Sequence, residues 1–429
     1  MPSSARPATD SATADAIIDA WRAESARLVG ALARMTRDLE LAEDLAQDAL
    51  VAALEQWPES GIPSKPAAWL MTTAKRRGID EFRRAETRRR KTAELGHGWE
   101  ERSMPDLESQ VDYIEDDVLR LIFLSCHPAL TPESRAALTL RLVAGLTTAE
   151  IARAFLASES TMGQRISRAK KTLAESGADF ELPTGKERTA RLDDVMAVIY
   201  LIFNEGYTAT AGADWLRPEL TTEALRLASM LAQLMPDEPE AQGLLSLVTF
   251  QASRNQARLD QAGRPILLED QDRSRWDELL IRRGLDSLGR AETLAARGQP
   301  VGRYYLQAAI ASRHAQARTA AETDWRSIAK LYDVLAEAAP GPVVEVNRAV
   351  AYGRAFGPEA GLAVLAELPA SALAGSHLLP SVRGDLLARA GRHLEAAVEF
   401  RSAAALTRNA GEQAVLLHSA IASDQAGGR

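Results

Sequence analysis

The sequence contains a single cysteine, Cys126, in 429 residues. An intrachain disulfide and a cysteine-based zinc cluster are both excluded, and Cys126 reads as a small core residue. Aromatic residues amount to 5%. The apolar share, 46%, is mostly alanine and leucine, which suits helices packed through small side chains better than a β-sandwich. No apolar stretch approaches the roughly 20 residues a membrane helix needs. The Ser/Ala/Thr-rich start, residues 1–14, lacks the basic and apolar parts of a signal peptide and reads as a disordered tail of a cytoplasmic protein. Six histidines are scattered without H-E-x-x-H spacing. Gly185-Lys186 is followed by Glu187, so there is no P-loop, and there is no nucleophile elbow. Glu269, Asp270, Asp272 and Asp277 are interleaved with Arg273 and Arg275, which favours ion pairs over a metal site. The expectation is a non-enzyme with no catalytic residues, metal or cofactor.

What is present is segregated charge. The net charge of −8 excludes a uniformly basic nucleic-acid binder but leaves room for a local basic patch. Seven acids and no base lie between Asp38 and Glu59. Ten bases against three acids lie between Lys65 and Lys91, six acids and no base between Asp106 and Asp117, and four bases and no acid between Arg165 and Lys171.

The periodicity predicts an all-α chain, long enough for about three domains. Residues 16–35 form a first helix with Ile17, Trp21, Leu28 and Leu32 on one face. Residues 39–57 form a second, with Leu41, Leu45, Ala49 and Ala52 as its apolar stripe. Asp44, Gln47 and Asp48 share another face of it at i, i+3, i+4. A proline-rich loop, 58–66, leads into a helix from Pro66 to about Arg84, which carries Trp69, Lys75, Arg76, Arg77, Arg83 and Arg84. The polar stretch 88–116, broken by Gly96, Gly98 and Pro105, reads as a linker, and two helices follow at 117–126 and 132–144.

The most specific segment is Gly145 to Leu173. Thr147 and Glu150 form a capping box opening a helix that ends near Phe155. Ser158 caps the next helix, on which Met162, Ile166, Ala169 and Leu173 form a buried stripe. Thr161, Gln164, Arg165 and Arg168 lie on a different face. This is a helix-turn-helix whose second helix offers outward the groups that read base edges and phosphates.

Together these pieces resemble a bacterial sigma factor of the extracytoplasmic-function type, in the sigma-70 family. The acidic helix is similar to region 2.2 through Asp44-Leu45-Ala46-Gln47-Asp48. Pro66 to Arg84 resembles region 2.4, and Leu146 to Leu173 resembles region 4. The resemblance implies that Asp44, Gln47 and Asp48 contact core RNA polymerase (β and β′ subunits). It implies that Lys75, Arg76, Arg77, Arg83, Arg84 and Trp69 hold the −10 promoter DNA, although burial is the simpler reading for Trp57 and Trp69. It also implies that Ser160, Thr161, Gln164, Arg165, Arg168 and Lys171 read the −35 element. The expected division is a tail at 1–14, region 2 at 15–87, a linker at 88–116, region 4 at 117–182 and a helical extension at 183–429.

That extension carries a weak repeat. Residues 351–368 align with 387–404 at a period of 36, near the 34 of tetratricopeptide repeats, and the whole chain resembles the sigma subgroup with such a C-terminal extension. "FNEGY" (203–207) and "LLEDQDRSRWD" (267–277) look typical of it. The extension is expected to control activity by binding a protein or a small molecule. The alternative reading is a helix-turn-helix regulator with a ligand-binding helical C-terminal domain, which gives no role to the acidic helix and the basic block ahead of the reading head.

Overall fold

The computed structural model describes residues 7–78, 111–155, 157–178, 180–207, 218–261, 265–369, 373, 375–407 and 409–428. Among these the fold is all-α, with an isolated β-bridge between Leu259 and Pro265. The chain divides into two compact units, Met1–Val198 and Ile199–Arg429. No described helix is long and apolar enough to cross a membrane.

The first unit starts with α1 (Pro7–Thr36) and α2 (Leu39–Ser60). Residues 7–14, expected as disordered tail, are therefore helical. Proline is well suited to a first helical position, and no glycine or second proline interrupts residues 8–16. Asp38 caps α2, accepting from the amides of Glu40 and Leu41 at 2.9 and 3.1 Å. The helix that follows the loop, α3, is described over residues 66–78. Trp57 is 1% exposed and meets Trp69 of α3 edge-on, ring centroids 5.3 Å apart. Arg83, Arg84 and most of the expected linker lie outside the described residues. The next helix, α4 (Val111–Ser125), begins within the range expected as linker.

Helices α5 (Pro132–Leu142), α6 (Thr148–Ala154) and α7 (Glu159–Ser176) complete the helix-turn-helix. The capping box forms as expected: the Glu150 amide donates to Thr147 Oγ1, and the Thr147 amide to Glu150 Oε2. Met162, Ile166, Ala169 and Leu173 are all buried. Cys126 is buried as well, and burial pushes its thiol up to about 12, so it is inert.

Helix α8 (Gly185–Tyr207) contributes to both units. In the first, Arg135 binds Asp194 at 2.7 Å, and Arg191 donates to the Phe123 carbonyl at 2.8 Å. Residues past the expected 182 boundary thus pack on the helix-turn-helix.

The second unit continues with α9 (Pro218–Leu234), α10 (Pro239–Ala252), α11 (Glu278–Ala296), α12 (Arg303–Gln316), α13 (Trp325–Ala338) and α14 (Pro342–Phe356). It ends with α15 (Pro358–Ala366), α16 (Leu378–Arg389), α17 (His393–Leu406) and α18 (Ala410–Gly427). Prolines 239, 342 and 358 start helices, as their missing amide allows. From α13 onward each helix packs chiefly on its sequence neighbours, the arrangement of a repeat array. The core is correspondingly split into small clusters, such as Ile310 with Ile328 and Leu335, and Phe400 with Ala404 and Leu416. Gly361 allows α15 to approach α14, because a Cβ there would lie 2.5 Å from the Ala349 carbonyl oxygen. Of the four acids between 269 and 277, Asp272 and Asp277 cap helices, and Glu269 pairs with Arg354 and Arg389.

Candidate nucleic-acid interface

The outward face of α7 carries two free cations. Arg168 is exposed and Arg165 half-buried, and neither makes a side-chain hydrogen bond or ion pair among the described residues. Gln164 is exposed beside them. Ser160 and Thr161 lie in the first turn, but the Thr161 hydroxyl shares a 2.8 Å hydrogen bond with Ser158, the cap of the helix. Lys171 points to solvent and pairs loosely with Glu175 at 3.7 Å. Arg165, Arg168 and Gln164 are therefore the groups presented ready for a partner.

The basic face of α3 is less open. Arg76 is exposed, and Trp69 is half-buried against Trp57. Lys75 is half-buried, and burial with the nearby Arg34 guanidinium pushes its ammonium below the ordinary range. Arg77 pairs with Asp48 of α2 at 3.3 Å. Two residues expected on different surfaces, one for polymerase and one for DNA, thus meet each other. Both are more than a third exposed, so the pair adds little stability.

On α2, Asp44 is exposed. Partial burial raises its carboxyl above the ordinary range, with Glu43, Glu40 and Asp48 adding to the rise against the pull of Lys170. Gln47 is half-buried and donates to Glu43 Oε1 at 2.7 Å.

Glu43 itself was not singled out by its sequence position, yet it joins the two halves of this unit. It is 5% exposed and accepts from Arg141 Nε of α5 at 2.6 Å, and its other oxygen pairs with Lys170 of α7. Burial alone would raise its carboxyl, but Lys170 and Arg141 outweigh that and hold it below the ordinary range. Two further contacts flank this one. Trp21 Nε1 donates to the Gly145 carbonyl at 3.2 Å, and Asp117 of α4, fully buried, pairs with Arg34 of α1 at 2.9 Å. Gly145 has φ +72°, and a Cβ there would lie 2.5 Å from Ser25 Oγ of α1, so glycine is required on both counts. The only sequence sign of Glu43's role is its place on the flank of the buried alanines 42, 46 and 49. Its partners lie 98 and 127 residues away, beyond any helical spacing.

A helix-turn-helix domain packed on a second helical module that carries an acidic face and a basic one is thus the class of protein defined by the fold. Residues 16–88 match the sigma-70 region 2 family, and residues 120–173 the sigma-70 region 4 family. Residues 191–292 match a family of unknown function, DUF6596. The chain is 43% identical over 394 residues to an uncharacterized protein of Rhizobium meliloti (strain 1021), spanning 90% of this chain and 91% of that protein. It is 33% identical over 141 residues to the ECF RNA polymerase sigma factor SigL of Mycobacterium tuberculosis (strain CDC 1551 / Oshkosh), covering 33% of this chain and 76% of SigL. It is 26% identical over 160 residues to the ECF RNA polymerase sigma factor SigK of Mycobacterium sp. (strain KMS), covering 35% of this chain and 78% of SigK. The chain belongs to the extracytoplasmic-function sigma factors of the sigma-70 family and carries a C-terminal helical extension. It is a transcription initiation factor that binds core RNA polymerase and promoter DNA.

Proposed function

We propose that residues 15–87 act as region 2 and residues 117–182 as region 4, with the extension from 183 onward controlling initiation in the cytoplasm. Asp44, with Gln47 and Asp48, serves as the polymerase contact. Arg76, with Lys75, Arg77, Arg83, Arg84 and Trp69, serves the −10 element. Gln164, Arg165 and Arg168, flanked by Ser160, Thr161 and Lys171, serve the −35 element. The observation that carries this reading is the pair of unpartnered arginines beside Gln164 on the exposed face of a capped helix-turn-helix, the donor set that recognises base edges and phosphates.

The polymerase contact is tested by replacing Asp44 and Gln47 together by Ala. Asp44 is exposed, so its replacement has a small effect on folding, whereas Gln47 also donates to the buried Glu43, so Asp44→Ala alone is run beside the double variant and binding is compared at equal folded fraction. Core polymerase binding is expected to weaken by roughly tenfold, about 1.4 kcal/mol, in a titration with purified core enzyme. Unchanged affinity would remove these residues from the interface.

The control role is supported by an array of helices that continues well past the helix-turn-helix and presents extended surface. A chain ending at Val198 keeps Arg191 and Asp194, which pack on the helix-turn-helix. It is expected to retain core polymerase binding but to transcribe several-fold less from its promoters (roughly 1 kcal/mol or more). Equal transcription of the same promoters, in cells and in vitro, would rule the control role out.

A further inference from the structure

The second unit contains a cavity of about 810 Å³, within the range of small-molecule sites. It brings together the two segments that stood out in the sequence of the extension. Asn204 comes from the first, at the end of α8, and Leu268 and Trp276 from the second. Helices α10, α12, α13 and α14 supply most of the remaining wall, including Phe250, Ile310, Leu335 and Val344 as its apolar part, and Arg254 reaches it from the turn after α10.

The polar part of the wall holds two cations, Arg254 and Arg303, beside the His314 ring and neutral groups such as Asn204, Gln307 and Asn347, and among the described lining residues there is no carboxylate. The described hydrogen bonds of Arg254 go to neutral acceptors, Tyr207 Oη at 2.5 Å and Gln251. Behind the wall, Arg273 lies over the Trp276 ring, 4.9 Å from its centroid. It donates to the carbonyls of His314 and Ala317 at 2.8 and 2.7 Å and to Thr323 Oγ1 at 3.0 Å, again neutral acceptors, although Glu322 offsets part of its charge. Burial, then the charges of Arg254 and Arg273, push the His314 imidazole down to about 3, so it is neutral at physiological pH. Two polar atoms of lining residues, Trp276 Nε1 and His314 Nδ1, are buried and make no hydrogen bond within the described structure. Buried polar atoms without partners are rare in folded proteins and mark places where another group completes the network.

We propose that this cavity binds a small organic anion, a carboxylate or phosphate monoester on an apolar or aromatic body, with Arg254 and Arg303 taking the anionic head. The guanidinium pair supplies charge-assisted donors. Trp276 and His314 offer further polar atoms, and Phe250, Ile310 and Leu335 cover the body. A positive cavity walled by low-dielectric side chains attracts anions over neutral analogues. The proposal deepens the control role given to the extension. It rests on that role only for its effect on transcription, because binding is measured without polymerase.

The test uses the full-length chain. Benzoate, indole-3-acetate and phenyl phosphate are titrated by calorimetry and thermal shift, each beside its uncharged counterpart, benzamide, indole-3-acetamide and phenol. At least one anion is expected to bind saturably, at least about tenfold tighter than its counterpart. The better of the carboxylate and phosphate arms identifies the head group. Arg254→Gln and Arg303→Gln are each expected to weaken binding at least about tenfold, whereas Arg318→Gln, at an exposed position off the cavity wall, leaves it unchanged. Arg303 is itself exposed, so its variant tests the site even where Arg254→Gln unfolds the unit. The proposal is overturned if no anion binds more tightly than its counterpart, or if binding survives Arg303→Gln. Binding without any change in promoter-specific transcription would leave the site standing and remove the control role.

Discussion

Glu43→Ala is expected to destabilise the first unit by about 3–5 kcal/mol, the cost of breaking a buried ion pair by removing one partner. The carboxylate is 5% exposed and faces two cations, Arg141 and Lys170, which are themselves largely buried. Removing it leaves two positive charges facing each other with no compensating acid. Glu43→Gln should fall between wild type and Ala, since it keeps an acceptor for Arg141 but loses the charge. Amide exchange of α5 and α7 in urea reads this directly, and a change within about 0.5 kcal/mol, the scale of a surface substitution, would mean that the contact carries no weight. The pH dependence has a definite sign. Because the folded carboxyl is held below its ordinary 4.5, its stabilisation is present in full above that value and is lost as pH falls through the lower folded value. Stability of the wild type should therefore drop below about pH 4.5 through this group, and Glu43→Ala should lose that part of the drop.

Replacing Arg165 and Arg168 is expected to have the next largest effect. Each well-formed bidentate base contact is worth about 1–3 kcal/mol of discrimination, roughly 5- to 150-fold. Among the described residues the two arginines are the cations of α7 without a hydrogen-bond or ion-pair partner, and the buried stripe below them leaves the helix in place when they are removed. The base reader, once changed to Ala, should relax the preference at one or two −35 positions. The phosphate contact, once changed, should weaken all sequences alike and lower the salt dependence by about one phosphate contact. Transcription from a randomised −35 library at two salt concentrations separates the two. If both variants select the same −35 sequences as the wild type, α7 is not the reader. Lys170 differs from these two, because it pairs with Glu43.

The sequence alone determined the local elements and the class of the protein. The Thr147–Glu150 box, the Ser158 cap and the stripe from Met162 to Leu173 are signals of short range, spaced by the 3.6-residue turn, and hydrogen bonds and burial follow them directly. The run Asp44 to Asp48, the basic helix from Pro66 and the helix-turn-helix, in that order, resembled an extracytoplasmic-function sigma factor, the family to which the chain belongs. In the extension, prolines 239, 342 and 358 stand at helix starts for an equally local reason. Tertiary structure decided the rest, because it depends on pairs far apart in the chain. Within the acidic helix, spacing placed Asp44, Gln47 and Asp48 on one face but could not show that Glu43, one residue earlier, turns inward to Arg141 and Lys170. Nor could it show that Asp48 is already paired with Arg77. In the extension, Asn204, Arg254, Trp276, Arg303 and His314 line one cavity although more than a hundred residues separate the first from the last. Helical periodicity fixes which way each side chain faces on its own helix. Which charges, rings and unpaired polar atoms come to share a space is set by how the helices pack.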